Sequence, residues 1–126
     1  MPSLLSLRAT ALTLFCVLAL WTTAPSARAH AVIIDSVPTV GAELESADSE
    51  IALHFNSRID HLRSRLTLVS ADGRARPLTI VQDGAPDLVT AKLAKLEPGR
   101  YRLRWQVLAI DGHLTRGDIP FSVKAP

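Results

Sequence analysis

Apolar and polar residues divide this chain into two parts with different patterns. Residues 9–21 are a nearly continuous apolar run, interrupted only by Thr10 and Thr13. After residue 30, apolar and polar residues alternate in short segments. Ile51, Leu53 and Phe55, for example, are separated by more polar positions, which is the period of a half-buried strand. The pattern therefore predicts an apolar N-terminal segment followed by a domain of β-strands.

Seven strands are predicted after residue 30. The clearest one follows Pro98-Gly99, where Tyr101, Leu103, Trp105 and Val107 face one way and Arg100, Arg102, Arg104 and Gln106 the other. The predicted strands cover residues 31–34, 51–56, 66–69, 77–81, 88–93, 101–107 and 119–123. Residues 71–73 (Ala-Asp-Gly) are a hairpin-type turn signal, and residues 43–50 are interpreted as an acidic, solvated loop. Seven short strands in about a hundred residues predict an all-β fold, an antiparallel Greek-key β-sandwich.

The N-terminal apolar run has the features of a secretory signal. Arg8 precedes the run, and Ala27-Arg28-Ala29 places small residues at both positions that signal peptidase reads. Cleavage after Ala29 predicts a signal peptide at 1–29 and a secreted domain at 30–126. The run is too short for a spanning helix of about 20 residues, and nothing after residue 30 is apolar enough. We therefore expect a mature protein that does not span a membrane.

Cleavage would change the charge and the ligand chemistry of the chain. All twelve acidic residues follow residue 29, whereas Arg8 and Arg28 precede it, so the formal net charge falls from +2 to zero. A neutral domain with interspersed charges lacks the concentrated basic face of a nucleic-acid binder. The single cysteine, Cys16, and the single methionine, Met1, also precede residue 30. The mature chain therefore has no sulfur ligand.

Two groups of residues suggest metal chemistry. After cleavage, His30 would carry a free α-amine beside its own imidazole and could chelate a metal ion through both. Asp111-Gly112-His113 is the second group, because residues two apart on extended backbone project to one side and Gly112 allows the chain to turn. The Asp-x-His motif alone is weak, since such a pair often only orders a turn by hydrogen bonding.

These features resemble the CopC family of periplasmic copper-resistance proteins over essentially the whole mature chain. The matching stretches are His30-Ala31, Ser36-Val37-Pro38 with Gly41-Ala42, IALHFNS at 51–57, LEPGRY at 96–101 with Trp105, VLAIDGH at 107–113 and GDIPFSV at 117–123. The resemblance implies a seven-stranded cupredoxin-like or immunoglobulin-like sandwich that binds one Cu(II) ion per chain. The implied ligands are the amine and imidazole of His30, the carboxylate of Asp111 and the imidazole of His113.

The implied function is copper homeostasis or resistance in the periplasm. The protein would be a carrier or buffer for Cu(II), with an inner-membrane copper transport protein of the CopD type as the expected partner. An amine, two imidazoles and a carboxylate form the nitrogen and oxygen environment that Cu(II) prefers. Some relatives also have a methionine-rich Cu(I) site, which this chain lacks the residues to form.

Four further residues are candidates for contributing to a metal site. Ser57 stands where several relatives carry a glutamate near the copper, so the surroundings of the ion would differ. His54 is a candidate near-site residue, although a partly exposed strand histidine is the simpler interpretation. A weak second site formed by His61 with Asp60 is a further hypothesis, against the simpler interpretation of His61 as a surface residue.

Two alternative functions remain at the level of sequence. Secreted copper monooxygenases also hold copper in a brace that begins with an N-terminal histidine. Such chemistry needs an open coordination position and a copper that cycles to Cu(I), whereas Asp111 would fill a position and stabilise the higher charge. The domain is also small and has no row of exposed aromatic residues. We therefore expect no enzymatic activity. The second alternative is an immunoglobulin-like adhesion or chaperone domain with an accidental terminal histidine.

Overall fold

The alternating segments form eight β-strands in the computed structural model, which describes residues 30–126. The strands are β1 (Ile33–Val37), β2 (Glu43–Leu44), β3 (Ser49–Phe55), β4 (Ile59–Ser70), β5 (Ala75–Leu78), β6 (Leu88–Leu93), β7 (Gly99–Ala109) and β8 (Leu114–Val123). Strands β1, β3 and β6 form one sheet in the order β1-β3-β6. The other five form a second sheet in the order β2-β8-β7-β4-β5. The prediction of an all-β sandwich is confirmed.

The strand that the sequence pattern did not predict is β2. Its two residues, Glu43 and Leu44, pair in parallel with Ser122 and Val123 of β8, inside the segment interpreted as a loop. Two residues are too few to show a period of two, and the pairing depends on the free edge of β8. The sandwich therefore has eight strands, and one of its sheets is mixed.

Several strands are longer than predicted or shifted. β8 begins at Leu114 instead of residue 119, and β4 begins at Ile59 instead of residue 66. β1 includes Asp35, Ser36 and Val37, which were expected to end it, while β5 begins and ends earlier than predicted. The extra residues are held in strand conformation by cross-strand pairing, for example along the whole β7–β8 hairpin. Such pairing is a non-local property that local sequence does not report.

The core lies between the two sheets and uses the predicted faces. Ile51, Leu53 and Phe55 of β3 are buried, as are Leu103 and Val107 of β7. The arginines of β7 point outward and are exposed. Across the interface between the sheets, the ring of Phe55 packs edge to face against Trp105, with ring centroids 5.5 Å apart. This contact joins the central strand of the smaller sheet to that of the larger one.

Trp105 also depends on its neighbour in β8. The residue paired with Trp105 is Gly117, and a Cβ atom added to Gly117 would lie 2.6 Å from Cζ2 of the indole. The ring therefore occupies space that any other residue at position 117 would fill. At this position glycine is required by close packing and not by backbone conformation.

A bulge interrupts the pairing of β4 with β7 between Asp60 and Arg65. The buried hydroxyl of Ser64 donates to the carbonyl of Asp60 at 2.6 Å and accepts from the amide of Leu108 at 3.1 Å. A side chain thus supplies the hydrogen bonds that the ladder loses at the bulge.

Residues 30–126 contain no helix long and apolar enough to cross a membrane. The predicted signal peptide at 1–29, including Cys16 and the cleavage site, lies outside the residues that the structure describes.

Candidate metal centre

Three chain segments meet at one end of the sandwich. They are the N-terminal residues 30–32, the β3–β4 connection at 56–58 and the β7–β8 turn at 110–113. The Asn56 side chain accepts from the amide of Val32 at 2.8 Å, and the Asn56 amide donates to the Val32 carbonyl at 3.0 Å. The amide of Ile110 donates to the carbonyl of Arg58 at 3.0 Å. These bonds tie the N-terminal segment to the connection, and the connection to the turn.

The β7–β8 turn is closed by backbone hydrogen bonds. The amide of Ala109 donates to the carbonyl of His113, and the amide of Gly112 donates to the carbonyl of Ala109, both at 2.9 Å. Gly112 has φ of 93°, in the region that L-residues rarely adopt, so the turn requires glycine there. The predicted role of Gly112 is therefore confirmed. The turn presents Asp111 and His113 on either side of Gly112.

Asp111 and His113 interact through both backbone and side chain. The amide of His113 donates to Oδ1 of Asp111 at 3.1 Å, and Nδ1 of His113 lies 3.1 Å from Oδ2. This backbone hydrogen bond and then the imidazole hold the pKa of the Asp111 carboxyl below its usual range. The Nδ1 contact is close but is not aligned as a hydrogen bond, so this buried nitrogen has no partner among the described residues. A carboxylate and an imidazole nitrogen are thus both available as ligands.

His30 lies beside this pair. The rings of His30 and His113 are arranged edge to face, with centroids 5.9 Å apart and an interplanar angle of 68°. The structure therefore brings His30 next to His113, which in turn contacts Asp111. Within residues 30–126, however, no three His, Cys, Asp or Glu side chains are gathered closely enough to hold a metal ion. Rotation of side chains, chiefly of the exposed His30, would be needed to point all the donors at one ion.

Two more buried polar atoms lie in the segments next to these histidines. The hydroxyls of Ser57, in the β3–β4 connection, and of Thr115, two residues after His113, have no hydrogen-bond partner among residues 30–126. Buried polar groups are ordinarily paired, so each of these hydroxyls has hydrogen-bonding capacity for a water molecule or another group from outside the chain. Ser57 was a candidate from sequence. Thr115 was not a candidate from sequence. The only feature that could have indicated it is a polar residue on the inward face of β8.

His54 occupies a different environment from His30 and His113. Its Nδ1 lies 3.1 Å from Oδ2 of Asp35 on β1, and its Nε2 lies 3.1 Å from Oδ2 of Asp87 in the loop before β6. The hydrogen bond to Asp35, followed by that to Asp87, raises the pKa of His54 above its usual value. Both ring nitrogens are therefore engaged by carboxylates, and no local pattern in the sequence indicates either contact.

His61 and Asp60 also have other partners. Nε2 of His61 donates to the carbonyl of Leu88 at 3.0 Å, while Oδ1 of Asp60 accepts from the amide of Arg63 at 3.1 Å. The second oxygen of Asp60 lies 3.8 Å from the guanidinium of Arg63. Each side chain stabilises its own part of the bulge region, so the geometry offers no support for a second metal site here.

Comparison with known protein families identifies the family of this protein. The family model described as "CopC domain" matches residues 33–124, which is most of the chain. The chain belongs to the CopC family. The matched residues begin at β1 and end just after β8, so they contain every strand of both sheets. The resemblance stated from the motifs is therefore confirmed.

CopC relatives agree with this assignment over similar lengths. Copper resistance protein C of Xanthomonas campestris pv. juglandis is 33% identical over 107 residues, covering 79% of this chain and 84% of the relative. Protein YobA of Escherichia coli (strain K12) is 29% identical over 103 residues, covering 79% and 83%. The crystal structure of CopC from Methylosinus trichosporium OB3b is similar with a TM-score of 0.69 at 22% identity, covering 75% of this chain and 94% of that one. The structural likeness establishes the fold.

Proposed function

We propose that this protein is a periplasmic Cu(II)-binding protein that acts as a carrier or buffer in copper homeostasis and resistance. The observation that carries the proposal is the edge-to-face approach of His30 and His113, 5.9 Å between centroids, beside the carboxylate of Asp111. One Cu(II) ion per chain would be bound by the amine and imidazole of His30 together with Asp111 and His113.

The chemistry of these donors supports copper over other metals. An amine nitrogen, two imidazole nitrogens and one carboxylate oxygen are suited to the tetragonal geometry of Cu(II), which also has the highest affinity among the divalent first-row metals. Asp111 is a carboxylate at neutral pH, and the contacts with His113 that lower its pKa extend the ionised state to lower pH. Residues 30–126 contain neither cysteine nor methionine, so a thioether site for Cu(I) is not expected.

The proposed site depends on processing of the chain. In the unprocessed chain the nitrogen of His30 is part of the peptide bond to Ala29, so the amine ligand exists only after cleavage. Secretion and removal of residues 1–29 would therefore activate the metal site. This dependence explains why a histidine at the first mature position is informative, whereas an internal histidine would offer only its ring.

The biological role is inferred from the family and one relative's name. Copper resistance protein C shares 33% of its aligned residues with this chain. A protein that holds one Cu(II) at an exposed end of a rigid sandwich is suited to buffer the ion or to pass it on. We propose an inner-membrane copper transport protein of the CopD type as the recipient.

A copper enzyme is the alternative, and the site geometry argues against it. Asp111 is directly beside His113 and would occupy a coordination position with a negative charge, which stabilises Cu(II) against reduction. Oxygen chemistry at copper needs an open position and access to Cu(I). We therefore expect a binding protein without enzymatic activity.

The decisive test is a Cu(II) titration of the protein beginning at His30, followed by electron paramagnetic resonance. A matched protein with one additional residue before His30 has the same fold and all the side chains but no amine at the site. We expect one tight, nitrogen-rich tetragonal site in the first protein and a lost or altered site in the second. Equal binding and identical spectra in both would contradict the assignment of the ligands.

A further inference from the structure

The outward face of the larger sheet carries a concentration of arginines. The side chains of Arg65 on β4, of Arg116 on β8, and of three arginines on β7 between them point away from the core. The three on β7 are Arg100, Arg102 and Arg104. Together these five residues are called the arginine face. They lie on three adjacent strands of one sheet, so their charges are held close together by the backbone.

The charge on this face is not balanced locally. Beside these arginines, Asp118 pairs with Arg104 at 3.2 Å and with Arg102 at 3.5 Å, whereas Asp60 lies farther along β4, opposite Leu108, and contacts Arg63. Five positive charges and one negative charge leave four positive charges on the face. Because residues 30–126 have no net charge, the rest of that segment is correspondingly acidic. The arginine face is therefore a positively charged patch on a segment that has no net charge.

Two of the arginines are available to an external anion. Within the described part of the chain, neither Arg65 nor Arg116 has a carboxylate in ion-pair contact. They flank Gln106 in one row across the sheet, which places their Cα atoms about 10 Å apart, two strand spacings. A depression of about 400 Å³ lies here, lined by Arg65, Arg104 and Arg116 among others. Guanidinium groups bind phosphate oxygens with two parallel hydrogen bonds.

Apolar side chains extend this surface toward the end that carries the metal centre. Leu114 continues the outward row of β8 beyond Arg116 and is 47% exposed. Leu62, on the bulge of β4, is 85% exposed. A basic surface bordered by exposed leucines combines attraction to phosphates with side chains that can enter the acyl boundary of a bilayer.

We propose that the arginine face is a peripheral docking surface for a membrane rich in anionic phospholipids. Lipid phosphates would bind Arg65 and Arg116 first, because these two do not have to give up an ion pair. An acidic protein surface would satisfy the same charges, but it would not account for the exposed leucines at the border. With the face on the bilayer, the strands lie parallel to the membrane and the metal centre lies at one end, open to the side. The proposal does not depend on copper.

The test is binding of the processed protein to vesicles of phosphatidylcholine alone and of phosphatidylcholine with phosphatidylglycerol, measured by co-flotation at low and high salt. We expect binding only to the anionic vesicles, weakened by salt because the contacts are between exposed charges. The Arg65→Gln/Arg116→Gln double variant should lose about 30-fold in partitioning, from the contribution of each arginine near an anionic surface. In the parent protein, Leu62→Ser should also weaken binding to the anionic vesicles. It should leave the salt dependence of that binding unchanged.

Arg74→Gln/Lys92→Gln is the matched control. It also removes two positive charges, but from residues outside the arginine face: Arg74 pairs with Asp72, and Lys92 is exposed on β6 of the other sheet. This control should bind vesicles almost as the parent does. His113→Ala should do so as well, and that result would show that vesicle binding does not require the proposed copper site. The proposal would be overturned if the protein did not bind anionic vesicles, or if both double variants lost binding equally. It would also be overturned if the protein bound an acidic polypeptide such as polyglutamate but not vesicles.

Discussion

The imidazole rings of His30 and His113 lie edge to face at one end of the sandwich, although 83 positions separate the two residues in sequence. The contact is made possible by the β3–β4 connection, which bonds to the N-terminal segment on one side and to the β7–β8 turn on the other. The proposed copper site would therefore depend on residues that are not ligands, such as Asn56, as well as on the ligands themselves.

Replacing His113 with alanine should abolish tight Cu(II) binding. Changes beyond the direct ligands of a metal typically cost 10- to 100-fold in affinity, so loss of a direct ligand should cost more than about 100-fold. His61→Ala is the matched control, because His61 bonds to a backbone carbonyl of β6 and not to the proposed site. Competition titration with a copper chelator measures both. Unchanged affinity in His113→Ala would favour a sandwich whose terminal histidine is accidental.

Asn56→Ala should weaken copper binding without removing a ligand. The side chain of Asn56 holds the amide of Val32, two residues after His30, so its loss frees the N-terminal segment. One hydrogen bond contributes about 1 kcal/mol, which corresponds to roughly fivefold in affinity. Hydrogen exchange at Val32 should accelerate together with the loss. Gln82→Ala, in a loop on another part of the chain, should leave both measurements unchanged.

The clamp formed by His54 with Asp35 and Asp87 should make stability depend on pH. Carboxylates only accept hydrogen bonds, so both contacts of His54 require the doubly protonated ring. Because the folded-state pKa is raised, the stabilisation is fully present below about pH 6.5, the ordinary histidine value, and is lost as pH rises through the folded pKa. Denaturant unfolding at a series of pH values should show this decline.

His54→Gln is the variant that isolates the clamp. Glutamine keeps a polar side chain at this position but cannot gain a proton, so the decline in unfolding free energy over that pH range should disappear. Asp35→Asn and Asp87→Asn should each reduce the raised pKa of His54 in a nuclear magnetic resonance titration. If His54 titrates at the ordinary histidine pKa in the parent protein, the clamp is refuted.

Gly117→Ala should destabilise the fold through a clash in the core. The new methyl group would lie 2.6 Å from the indole of Trp105, so the ring must shift and its packing against Phe55 must change. Overpacking of this kind costs about 1–3 kcal/mol. Chemical denaturation followed by the fluorescence of Trp105, which is the only tryptophan after residue 29, measures the cost.

Gly84→Ala is the control for this prediction. An added Cβ at Gly84 meets no heavy atom within 4 Å, and this glycine does not have a positive φ. Its effect should stay within about 0.5 kcal/mol, as for most surface substitutions. If both variants unfold at the same denaturant concentration, the packing of Trp105 over Gly117 is not a constraint on the sequence.

Local chemistry in the sequence determined which face of each main strand is buried. The alternation at 51–55 and at 101–107 follows from the two-residue period of a strand, and the structure buries the predicted sides. The turn at Asp72-Gly73 and the requirement for glycine at 112 likewise follow from backbone conformations that few residues adopt. The motifs were also sufficient to indicate the family, which the comparison confirmed.

Tertiary structure alone decided which of these strands and side chains are neighbours. β2 exists because β8 offers it an edge, and His54 is clamped because β1 and the loop before β6 each bring a carboxylate to it. In the same way, nothing near His30 in sequence reveals that His113 lies beside it. Alternation reports which side of a strand is apolar, whereas the partner of a strand is selected by contacts between residues far apart in the chain.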